Sequence, residues 1–330
     1  MESIVVVPTA RAASAADFLV EWEQELRAAQ IIIVEDGPRR SFDASAPNVQ
    51  HFARPDIGER LGDAAWIIPT GSGCIRSFGC WLAWQMGAEM IVTLDDDVRP
   101  DPNHTDFLAA HERRLQGAYD PSWESTLDEA KPRGMPYFET AREAPVAINH
   151  GLWNGVPDFD AATQLVSHRV PISQRWSDRT IPRGSYLPMC SMNLAWRAEF
   201  TPAMYFLLMG PDYAFDRFGD IWCGVLAKRV ADHLGYAVNS GSPAVAHQRA
   251  SDVFANLAKE SRGMRANESF WRAVDSVVLS ERTVAGAYIE LAERLPLDDA
   301  DFTMLRGAMA IWAGLFAGGR RSADRIAAAA

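Results

Sequence analysis

Short runs of aliphatic and β-branched residues, each stopped by an acidic or turn-forming group, set the frame of this chain. Ile4–Val7 stops at Pro8-Thr9, Ile31–Val34 at Glu35-Asp36-Gly37, and Met90–Leu94 at Asp95-Asp96-Asp97. Runs this short and this apolar suit buried strands. Between them lie stretches with helical spacing. Ser14 caps a helix that carries Phe18, Trp22 and Leu26 on one face, a second pattern covers Asp56–Leu61, and a third covers Ser72–Met86. Trp66–Ile68 reads as a further strand. Strands alternating with helices predict an α/β fold with a Rossmann-like, mostly parallel sheet, in which ligands sit beyond the carboxyl ends of the strands. Asp36 and Asp95–Asp97 stand at such ends.

The rest of the chain divides by pattern. Tyr119–Pro188 is rich in Pro, Gly and Trp with weak periodicity, and reads as long ordered loops and short strands. Asp216–Leu234 reads as a helix ended by Gly235, and Ala244–His247 as a strand. From Ser251 onward four helices are expected, at about 251–262, 267–279, 283–295 and 299–317. The expected organisation is therefore a catalytic domain over 1–248, a helical appendage over 249–318 and a flexible tail over 319–330. With 43 acidic against 32 basic residues and a net charge of -11, a nucleic-acid-binding surface is not expected. The four cysteines lack paired C-x-x-C spacing, which points to reduced thiols and a cytoplasmic location. The chain opens without a charged leader, and Gly307–Ala317 is too short to span a bilayer, so no transmembrane segment is expected.

Asp95-Asp96-Asp97 is the strongest local signal. Adjacent carboxylates at a strand end repel one another unless a cation sits among them, and hard oxygen donors suit Mg²⁺ or Mn²⁺, which in turn bind a diphosphate. Asp36 suits either a hydrogen bond from a nucleotide base or an ordinary Asp-Gly turn. Gly71-Ser72-Gly73-Cys74-Ile75-Arg76 departs from the dinucleotide fingerprint at Arg76, so neither NAD nor FAD is expected. A Gly-rich loop opening a helix still suits phosphate, and Arg76 adds a cation there. Arg11 and Arg54 suit phosphates or surface ion pairs. His150 and His247 suit metal ligation, acid/base work or a structural role. No G-x-S-x-G hydrolase motif is present.

Taken together, these segments resemble the reversibly glycosylated polypeptide family, the UDP-arabinopyranose mutases of plants. The resemblance is carried by Val7–Arg11, Ile31–Gly37, Arg54–Ile57, Cys74–Gly79 and Leu94–Asp97. It continues through Asn149–Leu165, Leu187–Ala195, Pro202–Phe206 and Asp220–Trp222, covering the chain to about residue 270. It implies a glycosyltransferase-A-like fold, a small-molecule nucleotide sugar, Mn²⁺ or Mg²⁺, and flavin-free interconversion of pyranose and furanose rings. It also implies that Arg76 stands where family members become reversibly glycosylated. Two departures stand out. Gly219-Asp220 replaces an Asp-Asp pair, and Ser167-His168 replaces a Lys-Pro, which implies a changed sugar or base. A GDP-hexose of galactose or fucose type and UDP-arabinose are both open. The Ala- and Arg-rich, Lys-poor composition is of a kind found in high-GC bacteria.

The residue roles expected for such a reaction are these. Asp95, Asp96, Asp97 and His247 hold the metal; Thr9, Arg11, Asp36, Arg54, Asp56 and Asp95 contact the nucleotide and diphosphate. Trp153, Trp222 and Asn193 contact the sugar. Arg76, Asp220, His150, Asp158 and Asp160 serve the chemistry. A metal-dependent glycosyltransferase and a non-catalytic nucleotide-sugar-binding scaffold use the same donor residues and are the competing readings. The helical C-terminal region leaves a homo-oligomer open.

Overall fold

The computed structural model describes residues 1–103, 106–121, 123, 130–138, 141–156, 158–167, 178–248 and 252–319. Strand β1 (Ser3–Thr9) leads through helices α1 (Ala12–Glu21) and α2 (Glu23–Leu26) to β2 (Gln30–Glu35) and β3 (Val49–Ala53). Helices α3 (Arg54–Leu61) and α4 (Ile75–Gln85) precede β4 (Met90–Leu94) and the short β5 (Val98–Pro100). Then come α5 (Phe107–Gln116), β6 (Ala118–Pro121), β7 (Ala141–Ala144), β8 (Val146–Gly155) and α6 (Ala161–Ser167). Strands β9 (Arg179–Ile181) and β10 (Asn193–Arg197) lead to α7 (Gly219–Leu234) and β11 (Ala237–His247). Helices α8 (Val253–Ser276), α9 (Val284–Arg294) and α10 (Ala300–Gly314) finish the described chain.

The expected α/β architecture is present as a mixed sheet flanked by helices. Its strand order is β3-β2-β1-β4-β10-β8-β11-β5, with β9 pairing β11. The first four strands pair in parallel; α1 and α2 carry the crossover from β1 to β2, α3 and α4 that from β3 to β4, and a non-helical loop joins β2 to β3. Beyond β4 the pairing turns mixed: β10 runs antiparallel to both neighbours, while β8 and β11 run parallel.

The pleat sorts side chains onto two cores. Ile4, Val6, Ile32 and Val34 face α4 and the C-terminal helices, whereas Val5, Val7, Ile31 and Ile33 face Phe18 and Trp22 of α1 and Phe107 of α5. Each such side chain removed from water contributes about 1.5–3 kcal/mol. Phe270, Tyr288 and Trp312, from beyond residue 249, share one continuous core with β1 and β2. Residues on both sides of the expected 248/249 boundary therefore bury each other.

Several expected elements differ. Trp66–Ile68 is not a strand; Gly62–Ile67 forms a 3₁₀ segment, and the third strand is Val49–Ala53. That strand is an edge, half exposed, and its Gln50 and His51 break the apolar run that marks buried strands. Helix α1 starts at Ala12, with Arg11 rather than Ser14 at its N-cap. The two helices expected over 251–279 form one continuous helix, α8, capped by Asp252. Of the expected tail, 320–330 lies outside the described residues. No helix among the described residues is long and apolar enough to cross a membrane.

Candidate active site

The carboxyl ends of β1 and β4 lie side by side, so Thr9 and Arg11 meet the aspartates that follow β4. Thr9 Oγ1 donates to Asp96 Oδ2 at 2.6 Å, and the Arg11 guanidinium grips both Asp96 oxygens and reaches Asp97 Oδ2 at 3.1 Å. Asp96 is thereby closed off, with 3% of its side chain exposed, against 32% for Asp95 and 21% for Asp97. Burial and the neighbouring Asp95 push the Asp97 carboxyl above its ordinary range.

Arg76, on the first turn of α4, is buried under this corner. Its Nη2 donates to Asp95 Oδ1 at 2.8 Å, Nη1 to Thr93 Oγ1 and the Ser191 carbonyl at 3.1 Å, and Nε to the Gly73 carbonyl at 3.1 Å. Its guanidinium carbon lies 5.3 Å from the centre of the Phe206 ring. Every nitrogen is engaged, so the charge is fixed in place.

Two open cavities meet at this point. One, of about 480 Å³, is lined by Pro8–Arg11, Asp36, Gly71–Gly73 and Asp95–Asp97. The other, of about 260 Å³, is lined by Arg76, Asp95, Asp158, Cys190, Ser191 and Asp220. Asp220 sits in the first turn of α7, where the helix dipole favours a carboxylate, and accepts from the Ser191 amide at 3.1 Å and hydroxyl at 3.0 Å. Asp158 remains in contact with solvent, yet the cavity walls desolvate it and push its carboxyl up, with Asp220 and Asp95 adding to the effect. Desolvation, reinforced by Asp158, holds the Cys190 thiol well above its ordinary range and so disfavours the thiolate.

His247 ends β11, opposite Val98, one residue past Asp97. Its Nδ1 donates to the Val156 carbonyl at 2.9 Å, which leaves Nε2 as the ring nitrogen open to a ligand. Gly155 makes this approach possible: its φ is +88° and a Cβ there would lie 2.3 Å from the His247 carbonyl oxygen. Among the described residues no three His, Cys, Asp or Glu side chains form a ready-made cage. The donor chemistry still fits a divalent cation. Mg²⁺-type ions use one or two carboxylates and complete their shell with substrate phosphates and water. Asp95 and Asp97 are accessible and crowd each other's charge; Asp96 is spent on Thr9 and Arg11.

The structure reassigns several expected site residues to structural work. Trp222 is fully buried, stacked on Phe270 at 4.1 Å, with its Nε1 on Asn267, so it cannot reach a sugar. Asn193 is also buried; its amide bonds His111 and the carbonyls of Leu152 and Pro243. Asp160 caps α6 through the Thr163 amide and hydroxyl at 2.8 Å. Asp56 accepts from the Ala53 amide at the start of α3 and pairs with Arg40. Arg54 spends its guanidinium on Asp36 and the carbonyls of Ile68 and Pro69, outside both cavities. Asp36 lines the larger cavity, holding the Gly71 amide at 2.7 Å. His150 and Trp153 line an adjoining cavity of about 370 Å³ that touches the site at Asp158 and Cys190. Burial drives His150 down to about 4, so its imidazole is neutral at pH 7.

Some residues were missed. Phe206, Arg217 and Lys259 line the site, alongside Ser72 of the Gly-rich loop already expected to suit phosphate. Lys259 comes from α8, which the sequence pattern assigns to an appendage. The departure at Gly219 has a steric reason here, since a Cβ would lie 2.5 Å from the Phe206 carbonyl oxygen.

The family model for reversibly glycosylated polypeptides matches residues 2–318. The chain is 36% identical to "Probable UDP-arabinopyranose mutase 4" of Arabidopsis thaliana, covering 93% of this chain and 88% of that protein. It is 34% identical to "UDP-arabinopyranose mutase 1" of the same plant, covering 93% and 90%. Among solved structures it is similar to S. aureus TarS 1-349 in complex with UDP-GlcNAc, with TM-score 0.39 and 12% identity over 96% of this chain and 89% of that chain. With the match running nearly end to end, the chain belongs to the reversibly glycosylated polypeptide family.

Proposed function

We propose that this protein is a nucleotide-diphosphate-sugar mutase that interconverts pyranose and furanose forms of the sugar, using neither flavin nor nicotinamide. The observation that carries the reading is the meeting of Arg76, Asp95, Asp158 and Asp220 in one small cavity that opens onto the strand-end cavity. Its family relatives carry the mutase name over almost their whole length.

Ring contraction requires the anomeric carbon–oxygen bond to break and re-form. Asp95, Asp97 and His247 would hold Mn²⁺ or Mg²⁺, which supplies electrostatic stabilisation for the departing diphosphate. Thr9 and Arg11 keep Asp96 closed and so hold the strand-end loop in shape. Arg76 presents a fixed positive charge beside the anomeric centre, an electrostatic role suited to a guanidinium that never deprotonates. The raised Asp158 carboxyl is suited to give a proton to the ring oxygen, and Asp220 to take one from the 4-hydroxyl. The first transfer accompanies opening of the pyranose and the second closure of the furanose, and the two carboxyl groups exchange roles in the reverse conversion. Trp153 offers a face to the sugar from the adjoining cavity. The substrate base and sugar are either UDP-arabinose or a GDP-hexose of galactose or fucose type.

The test is incubation with Mn²⁺ and a panel of UDP- and GDP-pyranoses, without any acceptor, followed by chromatography and NMR of ring size. A furanose isomer of equal mass is expected from one donor, and metal chelation should stop its formation. Free nucleotide with no isomer would instead identify a transferase. Tight binding with no change of any donor would identify a scaffold.

A further inference from the structure

The two cavities share a limited set of residues: Gly71–Gly73, Arg76, Asp95, Arg217 and Lys259. In a nucleotide sugar the diphosphate is the link between nucleoside and sugar. The surface common to a nucleotide cavity and a sugar cavity is therefore where the diphosphate lies. That surface has an electrostatic problem. Asp95, Asp158, Asp216 and Asp220 line the smaller cavity and Asp36 and Asp95–Asp97 the larger, more carboxylates than a divalent cation at Asp95 and Asp97 would offset. Arg76 is already paired with Asp95, and Arg11 with Asp96 and Asp97.

Arg217 is built differently. It is a non-glycine residue at φ 62°, a left-handed conformation that the surrounding structure must hold. Its Nε donates to Glu260 Oε1 at 2.7 Å, and the other Glu260 oxygen accepts the Ala161 amide at 2.7 Å. Glu260 is almost fully buried, while the Arg217 side chain is 41% exposed. Gripping Arg217 through Nε orients its guanidinium fork, a shape matched to phosphate. Glu260 also follows Lys259 directly in α8, so one turn of helix positions both cations.

We infer that Arg217 and Lys259 form a diphosphate clamp, with Glu260 as its positioning residue, and that α8 is thereby part of the binding site. This rests on the nucleotide-sugar reading and extends it to residues outside the strand-end network. The clamp would hold the nucleotide diphosphate while the sugar is detached and rearranging.

The experiment is calorimetric titration of the full chain, in Mn²⁺, with UDP, GDP, uridine and guanosine. Lys259→Ala and Arg217→Ala should each weaken the diphosphate that the wild type binds by about 10- to 100-fold. Affinity for the matching nucleoside should not change. Glu260→Gln should weaken the diphosphate less, and Arg217→Lys should recover part of the loss of Arg217→Ala. Lys259 is exposed on its helix, so Lys259→Ala keeps the test sound if substitution at Arg217 disturbs folding. Wild-type binding of UDP or GDP with Lys259→Ala within twofold would overturn the clamp alone. A wild type that binds neither diphosphate would overturn the clamp and the nucleotide-sugar reading together.

Discussion

The site has two walls of opposite character. One wall is the end of the parallel half of the sheet, where Thr9, Arg11, Asp36 and Asp95–Asp97 follow strands that lie side by side. Its charges are mostly paired: Arg11 with Asp96, Arg54 with Asp36 and Arg76 with Asp95. The other wall comes from the approach to α7, the stretch after β8 and the helix α8. It carries Asp158, Asp220, Arg217 and Lys259, gathered from positions about a hundred residues apart. The first wall is a preset electrostatic frame, while the second brings groups that face the cavity and can respond to what enters it. Three adjacent aspartates show the same division on a smaller scale: Asp96 belongs to the frame, and Asp95 and Asp97 remain accessible.

The largest effect should come from breaking that division. Asp95→Asn or Asp97→Asn should lower turnover by roughly 10³-fold, a loss of the size seen when a key electrostatic group is removed. Asp96→Asn should act on stability instead, costing about 2 kcal/mol through its charged hydrogen bonds. Steady-state rates alongside urea unfolding would check this, and equal turnover losses at all three positions would erase the distinction.

The two tryptophans sharpen the contrast next. Trp222→Ala should cost about 3–5 kcal/mol of stability, because it empties a fully buried aromatic stack. Trp153→Ala should cost less in the same denaturation measurement and should instead raise KM, since Trp153 is only partly buried and lines a cavity.

A third prediction concerns pH. His150 drops from 6.5 to about 4 through burial. Between those values the unfolded chain binds a proton that the folded chain does not, so stability falls as the pH drops through the window. At pH 4 this histidine accounts for roughly 3 kcal/mol of that fall, taking about 1.4 kcal/mol per unit. His150→Gln should flatten the acid limb of a stability–pH curve by that amount. An unchanged slope would mean that His150 is protonated in the folded protein.

The smallest effect separates two neighbouring acids. Asp160→Ala should cost about 1 kcal/mol, as a lost helix cap does, and leave turnover intact. Asp158→Asn should lower turnover and change its pH profile with little change in stability. Loss of turnover in Asp160→Ala would move the chemistry away from Asp158.

Much of the first wall was legible in the sequence, because a strand's apolar run and the acidic residues that stop it are local features. The carboxyl ends of β1, β2 and β4 follow from that pattern, and with them the positions of Thr9, Asp36 and Asp95–Asp97. The second wall was not legible in the same way. Asp220 was expected to serve the chemistry and Trp222 to contact the sugar, but helical geometry sends Asp220 to the cavity and Trp222, two residues on, into the core. The helical pattern over 251–279 predicted helix there, in two pieces where the structure has one, and nothing in it showed that Lys259 lines the site or that Glu260 holds Arg217. Edge strand β3 escaped notice because it is too polar to look buried.

By itself, then, the sequence determined the α/β alternation, the carboxylates at the strand ends, and a family likeness spread along nearly the whole chain. Those properties depend on neighbours a few residues away and on the two-residue period of a strand. Tertiary structure decided which of those carboxylates is closed by a partner and which remains accessible. It also turned Arg54, Asp56, Asp160, Asn193 and Trp222 into scaffold, and brought Arg217 and Lys259 to the junction of the two cavities. A side chain's task depends on what packs against it, and here those partners come from distant segments that meet only when the sheet and the C-terminal helices bury one common core.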